Sequence, residues 1–141
     1  MQAFDAGLSV KVVRVATFSA AHRYFNHQLS IEENKKIYGS LYREDGFGHN
    51  FAIEAHFSGP IDPMTGMIVN LVDIDSWLKD VTRVVDHQNL NLLPAFQQAP
   101  PTPETIARFF FTELTTRIGG KVQLEKVRVF EGDDLWVDYS G

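Results

Sequence analysis

The hydrophobic periodicity of the chain switches twice, and this switching most constrains the fold. Leu8 to Ser19 (LSVKVVRVATFS) is rich in β-branched residues with partial alternation, which predicts a long first strand. His49 to Ser58 (HNFAIEAHFS) alternates, with Phe51, Ile53 and Ala55 on one face and Asn50, Ala52, Glu54 and His56 on the other. The period then lengthens. From Asn70 to Val85, apolar Leu71, Ile74, Leu78, Val81, Val84 and Val85 recur at helical spacing, with Asn70 placed to cap and Asp73 in the first turn. Thr102, Pro103 and Glu104 open a second helix that runs to about Ile118 and stops at Gly119-Gly120. Leu124 to Phe130 and Leu135 to Tyr139 return to the strand pattern as a closing hairpin. This order predicts an α+β domain, a four-stranded antiparallel sheet with two helices on one face. An open sheet leaves two edges to pair or protect, which points to self-association.

Composition narrows the function classes. At 141 residues the chain suits one domain, spanning 1–141. A net charge of −5 argues against non-specific nucleic-acid binding, which needs a basic surface. No apolar run approaches the roughly 20 residues that span a bilayer. The start, MQAFDAGLSV, lacks the basic and then apolar pattern of a secretion signal. Cysteine is absent, which removes disulfides, thiolate metal sites and thiol nucleophiles, and fits a cytoplasmic protein.

Asn26 to Asp45 is a long polar connection with a short helical turn expected over Ser30 to Tyr38, and long loops inside compact domains are usually functional. It is flanked by two histidines, His22 in FSAAHRYF and His49 in GFGHNF. On neighbouring strands they can converge on one metal, although two unrelated polar residues at strand ends are the plainer reading. Asp86 and His87 are adjacent in VVDHQNLN, and a carboxylate beside an imidazole can fix its tautomer and stabilise the imidazolium; a helix-end turn is the plainer reading. Glu131 ends a strand in RVFEGDD, either as an exposed acid or as an acceptor for the paired N–H edge of an aminopyrimidine ring. Capping alone accounts for Thr102 and Glu104.

Taken together, FSAAHRYF, LSIEENKKIYG, GFGHNF, GPIDPMTGMIVNLVDI, VVDHQNLN, PTPETIARF and KVRVFEGDD resemble the 6-pyruvoyl tetrahydropterin synthase and 6-carboxytetrahydropterin synthase family over nearly the whole chain. The resemblance implies the tunnelling fold, with subunits joined edge to edge into trimeric barrels and two barrels stacked into a hexamer. It implies an active site between subunits that removes triphosphate from 7,8-dihydroneopterin triphosphate and rearranges the side chain. It also implies a zinc ion that acidifies a C–H bond of that substituent, a cysteine base aided by an Asp-His pair, and a glutamate that anchors the pterin. Carried over by position, His22 and His49 match zinc ligands, Asp86 and His87 the proton-relay pair, and Glu131 the pterin anchor. Thr102 and Glu104 match a second pterin-contacting segment.

Two positions depart from the family pattern. Phe47 stands where the first histidine of the HGH motif belongs, and phenylalanine has no lone pair. Leu41 falls on the cysteine position. Some relatives carry a glutamate three residues before the first histidine, and Glu44 stands three before Phe47, either as the one evident substitute base or as a solvated acid in a polar loop. His56 cannot restore the third ligand: at about 3.3 Å per residue it lies roughly 23 Å beyond His49 and points to the other face. His27 sits in a loop with no fixed relation to the pair, and recruiting Asp86 or His87 would consume the relay. The sequence therefore predicts zinc that is weakly held or absent. It leaves open an enzyme with a modified centre using Glu44 and His87, a non-catalytic pterin-binding or regulatory homologue, and a structural partner of an active paralogue.

Overall fold

The computed structural model describes residues 10–119 and 122–141. Four strands form one antiparallel sheet in the order β1-β2-β3-β4: β1 Val10–His22, β2 Phe47–Gly59, β3 Gln123–Glu131 and β4 Trp136–Tyr139. Helices α2 (Leu71–Val85) and α3 (Pro103–Thr115) cover one face, as the periodicity predicts. The expected turn in the long connection is a full helix, α1 (Ile31–Tyr38), closed at its start by a reciprocal Ser30–Glu33 capping box.

Strand boundaries differ from the sequence expectation in a way that matters. β1 continues past Ser19 to His22, and β2 begins at Phe47. Both histidines therefore lie inside paired strands, with Ala20 opposite His49 and His22 opposite Phe47. β3 likewise runs one residue beyond Phe130, to Glu131. Leu8, Ser9 and Gly120 lie outside the described residues.

The core forms where the alternating faces meet the helices. Phe18, Phe51, Ile53, Ala55 and Phe57 point inward from β1 and β2, and Val127 and Val129 from β3. Helix α2 contributes Ile74, Leu78, Val81 and Val85, and α3 contributes Ile106, Ala107, Phe110 and Leu114. Leu71 and Val84, apolar at helical spacing, stay partly exposed. Val84 lies roughly 90° round the helix from the centre of the buried stripe, and Leu71 is the first residue of its helix. Helix α3 stops at Thr115, short of Ile118. The Thr115 and Thr116 hydroxyls donate to the carbonyls of Phe111 (2.7 Å) and Glu113 (2.8 Å) and compete with continued helix.

Buried amides hold the long connection against the sheet. The fully buried Asn34 accepts from the Asn26 N–H (2.7 Å) and donates to the Asn26 (3.0 Å) and Ser30 (2.9 Å) carbonyls. Asn91 accepts from the Arg23 N–H (2.8 Å) and donates to the Arg23 carbonyl (3.0 Å). Asn34→Ala strands the Asn26 backbone groups and should cost about 2 kcal/mol. Urea unfolding measures this, and an unchanged midpoint would show that the amide does not hold the loop.

Candidate active site

The period-2 alternation that builds the core continues one step beyond it. On the helix-covered face, His22 follows Phe18 and Ala20 on β1. His49 precedes Phe51 on β2, and Glu131 follows Val127 and Val129 on β3. Three adjacent strands thus place three polar side chains at one end of the same face. Phe51 forms the floor, its ring 5.3 Å from the His22 ring and 5.7 Å from the His49 ring.

Their potential ligand atoms all lie within 4.8 Å of one another. Glu131 Oε1 is 3.3 Å from His49 Nε2, and Oε2 is 3.7 Å from His22 Nε2. Both Nε2 atoms are buried and without a hydrogen-bond partner. Burial pushes the His22 imidazole below its ordinary pKa, against the opposing pull of the Pro101 carbonyl and Glu131. The Tyr24 hydroxyl donates to Glu131 Oε2 at 3.0 Å. Burial raises the Tyr24 phenol's pKa, with Glu131 and then Glu104 adding to the shift, so Glu104 belongs to the same electrostatic neighbourhood. Phe47 stacks on His49 (ring centroids 5.7 Å apart, planes 22° apart), under the Arg43 guanidinium at 5.0 Å. Among the described residues, the orphaned imidazole nitrogens and facing carboxylate suit a divalent metal, and His22, His49 and Glu131 would hold it.

The Asp86–His87 turn docks on the free edge of β1. The His87 N–H donates to the Ser19 carbonyl (2.6 Å), and the Ala21 N–H donates to the Gln88 carbonyl (2.9 Å). Asp86 accepts from the Ser19 N–H (3.0 Å) and lies 3.0 Å from His87 Nδ1. The Ser19 hydrogen bond, ahead of the His87 contact, holds Asp86 below the usual carboxylate range. His87 takes a left-handed backbone conformation (φ 60°), with its side chain 82% exposed. A depression of about 480 Å³ is lined by His49, Asn50, His87 and Asn89. A smaller one of about 210 Å³ joins His22 to His27, Glu44 and Asp45. A roomier cavity of about 650 Å³ lies at the opposite end of the sheet, around Ile68 and Trp77, away from all of these groups.

The structure thus gathers His22, His49 and Glu131 directly, with Asp86–His87 and Glu44 at the flanking depressions. Glu104 is exposed in the first turn of α3. The Thr102 hydroxyl accepts from the Thr105 N–H and serves the helix cap. His56 points to the opposite face and contacts Glu54, as its strand position requires. Sequence reasoning did not single out Tyr24. Its phenol reaches Glu131 only because the chain turns after β1, and no spacing rule encodes that contact.

Because burial holds His22 neutral, the unfolded chain takes up a proton near pH 6.5 that the folded chain accepts only at lower pH. Chelator-treated protein should therefore lose stability as the pH falls from 6.5 toward the lowered native value. Urea midpoints at about pH 7.5 and 5.5 should diverge more for the parent than for His22→Gln. Equal divergence would show that His22 is not desolvated.

A family model described as 6-pyruvoyl tetrahydropterin synthase matches residues 11–141. The chain is 36% identical to a 6-pyruvoyl tetrahydrobiopterin synthase of Poecilia reticulata, covering 92% of this chain and 89% of that protein. It is also 36% identical to the Homo sapiens protein of the same name, covering 93% and 91%. The solved 6-pyruvoyl tetrahydropterin synthase of Caenorhabditis elegans superposes with a TM-score of 0.88 at 32% identity, covering 94% of this chain and 96% of that one. With the tunnelling-fold sheet, the strand-end histidines and the Asp86–His87 turn in place, the chain belongs to the 6-pyruvoyl tetrahydropterin synthase family.

Proposed function

We propose that the protein binds a reduced pterin with its side chain at the His22–His49–Glu131 end of the sheet, and that it eliminates triphosphate from 7,8-dihydroneopterin triphosphate. The observation that carries this reading is the convergence of two buried, unpartnered imidazole nitrogens on one carboxylate, beside a relay turn docked on the adjoining strand. Zinc bound there supplies Lewis-acid polarisation of the substrate's hydroxyl oxygens. The protein's own groups do the rest. A C–H bond of the substrate's substituent loses its proton to a carboxylate or imidazole, and the C–O bond to triphosphate breaks with its electron pair leaving on the phosphate. Glu44 lines the depression beside His22 and is the carboxylate placed to take the proton that Leu41 cannot accept. Asp86 holds the His87 ring through Nδ1, which leaves Nε2 free to exchange a proton with the ligand.

Ring recognition falls to Glu104. Glu131 already accepts from Tyr24 and faces two imidazoles, whereas Glu104 is exposed at the start of α3 within the field that Tyr24 feels. A carboxylate meeting the paired N–H edge of the pterin makes a charge-assisted contact worth on the order of 3 kcal/mol. Binding without turnover is a second reading, favoured by Leu41 at the cysteine position.

The subunits assemble as a homo-hexamer of two trimers, with the sheet edges β1 and β4 joined between copies. The absence of cysteine supports a cytoplasmic location, and no helix among the described residues is long and apolar enough to cross a membrane.

Incubation with 7,8-dihydroneopterin triphosphate and chromatographic detection of released triphosphate tests the chemistry. Release should fall by about a hundredfold or more in His87→Gln and in Glu44→Gln. Tight binding with no release supports the second reading, and no binding at all defeats both. In calorimetry, Glu104→Gln should weaken neopterin binding about a hundredfold; unchanged affinity would remove Glu104 from recognition. Light scattering should give six times the 16.0 kDa mass of one subunit. A monomer at micromolar concentration would exclude the shared-edge assembly.

A further inference from the structure

We propose that His22, His49 and Glu131 form a two-nitrogen, one-oxygen metal site, in which the Glu131 carboxylate takes the place of the imidazole that Phe47 cannot supply and Tyr24 fixes that carboxylate. This rests on the reading of this end of the sheet as a working site but not on its substrate, so metal binding and pterin binding fail separately.

Tautomer logic carries the argument. His22 Nδ1 is 2.7 Å from the Pro101 carbonyl, which only accepts hydrogen bonds. Nδ1 therefore carries the proton, and in the neutral ring Nε2 presents a lone pair. The His22 side chain is fully buried, which favours that neutral form. The lone pair faces Glu131 Oε2, a second acceptor, at 3.7 Å. Two acceptors facing each other in a buried site repel, and a cation held between them removes that repulsion.

Distance supports the same conclusion. The Glu131 oxygens stand 3.3 and 3.7 Å from the imidazole nitrogens, beyond the usual hydrogen-bond range of about 2.7–3.2 Å. Donors about 2.0–2.2 Å from a common ion at tetrahedral angles are separated by about 3.4 Å. With one atom taken from each residue the three donors lie within 4.8 Å of one another, so seating an ion draws them together by a small side-chain movement.

The outer contacts complete the site. Pro101 orients His22, and the Tyr24 hydroxyl occupies the remaining side of Oε2 at 3.0 Å. The Glu131 N–H donates to the Leu135 carbonyl at 2.9 Å, which ties the carboxylate to the closing hairpin. Phe47 stacks against His49 and turns the lost ligand position into an apolar wall. Two imidazoles and one carboxylate suit zinc, and also ferrous or manganous ions.

The test uses the full-length assembly, stripped with chelator and dialysed. Zn(II) is titrated by calorimetry, and bound metal is counted by elemental analysis. The parent should bind one ion per subunit. Glu131→Gln should weaken binding by more than the roughly tenfold to hundredfold typical of an outer contact, and Tyr24→Phe should fall within that range. Restoring the imidazole in Phe47→His/Glu131→Gln should recover affinity to within about tenfold of the parent. Asp133→Asn, next to the same turn, should change nothing. A Glu131→Gln variant that binds like the parent, or a parent that binds no ion, would overturn the proposal. If Glu131→Gln fails to fold, X-ray absorption of the zinc-loaded parent decides: two imidazoles and one carboxylate are expected, and three imidazoles would refute it. Metal binding without neopterin binding would leave this site standing and defeat only the proposed substrate.

Discussion

Strand register is the constraint on which everything else depends. Phe18 lies opposite Phe51, and their rings stack at 4.8 Å in the middle of the core. That pair sets the phase of both strands. Because side chains alternate with period 2, a slip of one residue would send Phe18 and Phe51 to the uncovered face and His22 and His49 with them. The site and the core are thus one pattern, and the energy that buries the phenylalanines also aims the histidines. Phe51, opposite Glu131 on β3, extends the same phase to the third strand. No separate device is needed to bring the carboxylate to the imidazoles.

Polar satisfaction organises what surrounds this end of the sheet. Backbone groups on the outer edge of β1 would be unpaired at Ser19 and Ala21, and the turn after α2 takes them up. That turn carries Asp86 and His87. This pair, the proposed relay, is therefore positioned by main-chain hydrogen bonds, while Asp86 itself accepts one from the Ser19 N–H. Likewise, Asn91 clamps Arg23, the first residue after β1, and Asn34 closes the long connection on itself. These amides leave Tyr24 and Glu44 on a fixed path past the strand ends.

Most of the scaffold was legible because it follows from periodicity. Four strands, two covering helices, the Asn70 and Thr102 caps and the facing of His56 away from His49 all match the pattern of the residues. What stayed hidden needs three-dimensional register or loop paths. In sequence, the candidates for a third ligand are the other histidines and the Asp86–His87 pair, while Glu131 reads as the partner of the pterin ring. Glu131 lies 82 residues from His49 in sequence yet reaches to within 3.3 Å of its ring. Only the pairing of β2 with β3 reveals that neighbourhood. Helix α3 ended early for a local reason, the threonine hydroxyls bonding back to carbonyls, which a periodicity count ignores.

The exposure of His87 bears on the proposed assembly. His22 is fully buried and Glu131 nearly so, but the His87 ring is 82% exposed and the His49 side chain 26%. An imidazole in open water exchanges protons with solvent, and a reactive intermediate beside it would be hydrated or reprotonated at random. Among the described residues the edge of β1 stays open from Lys11 to Thr17, while its other end is already taken by the Asp86–His87 turn. Joining copies along that edge would bring a second sheet up to the turn without disturbing it. The same contact that protects the edge would then cover His87 and close the depression shared with His49. In the proposed assembly, edge protection and water exclusion are therefore one requirement met by one interface.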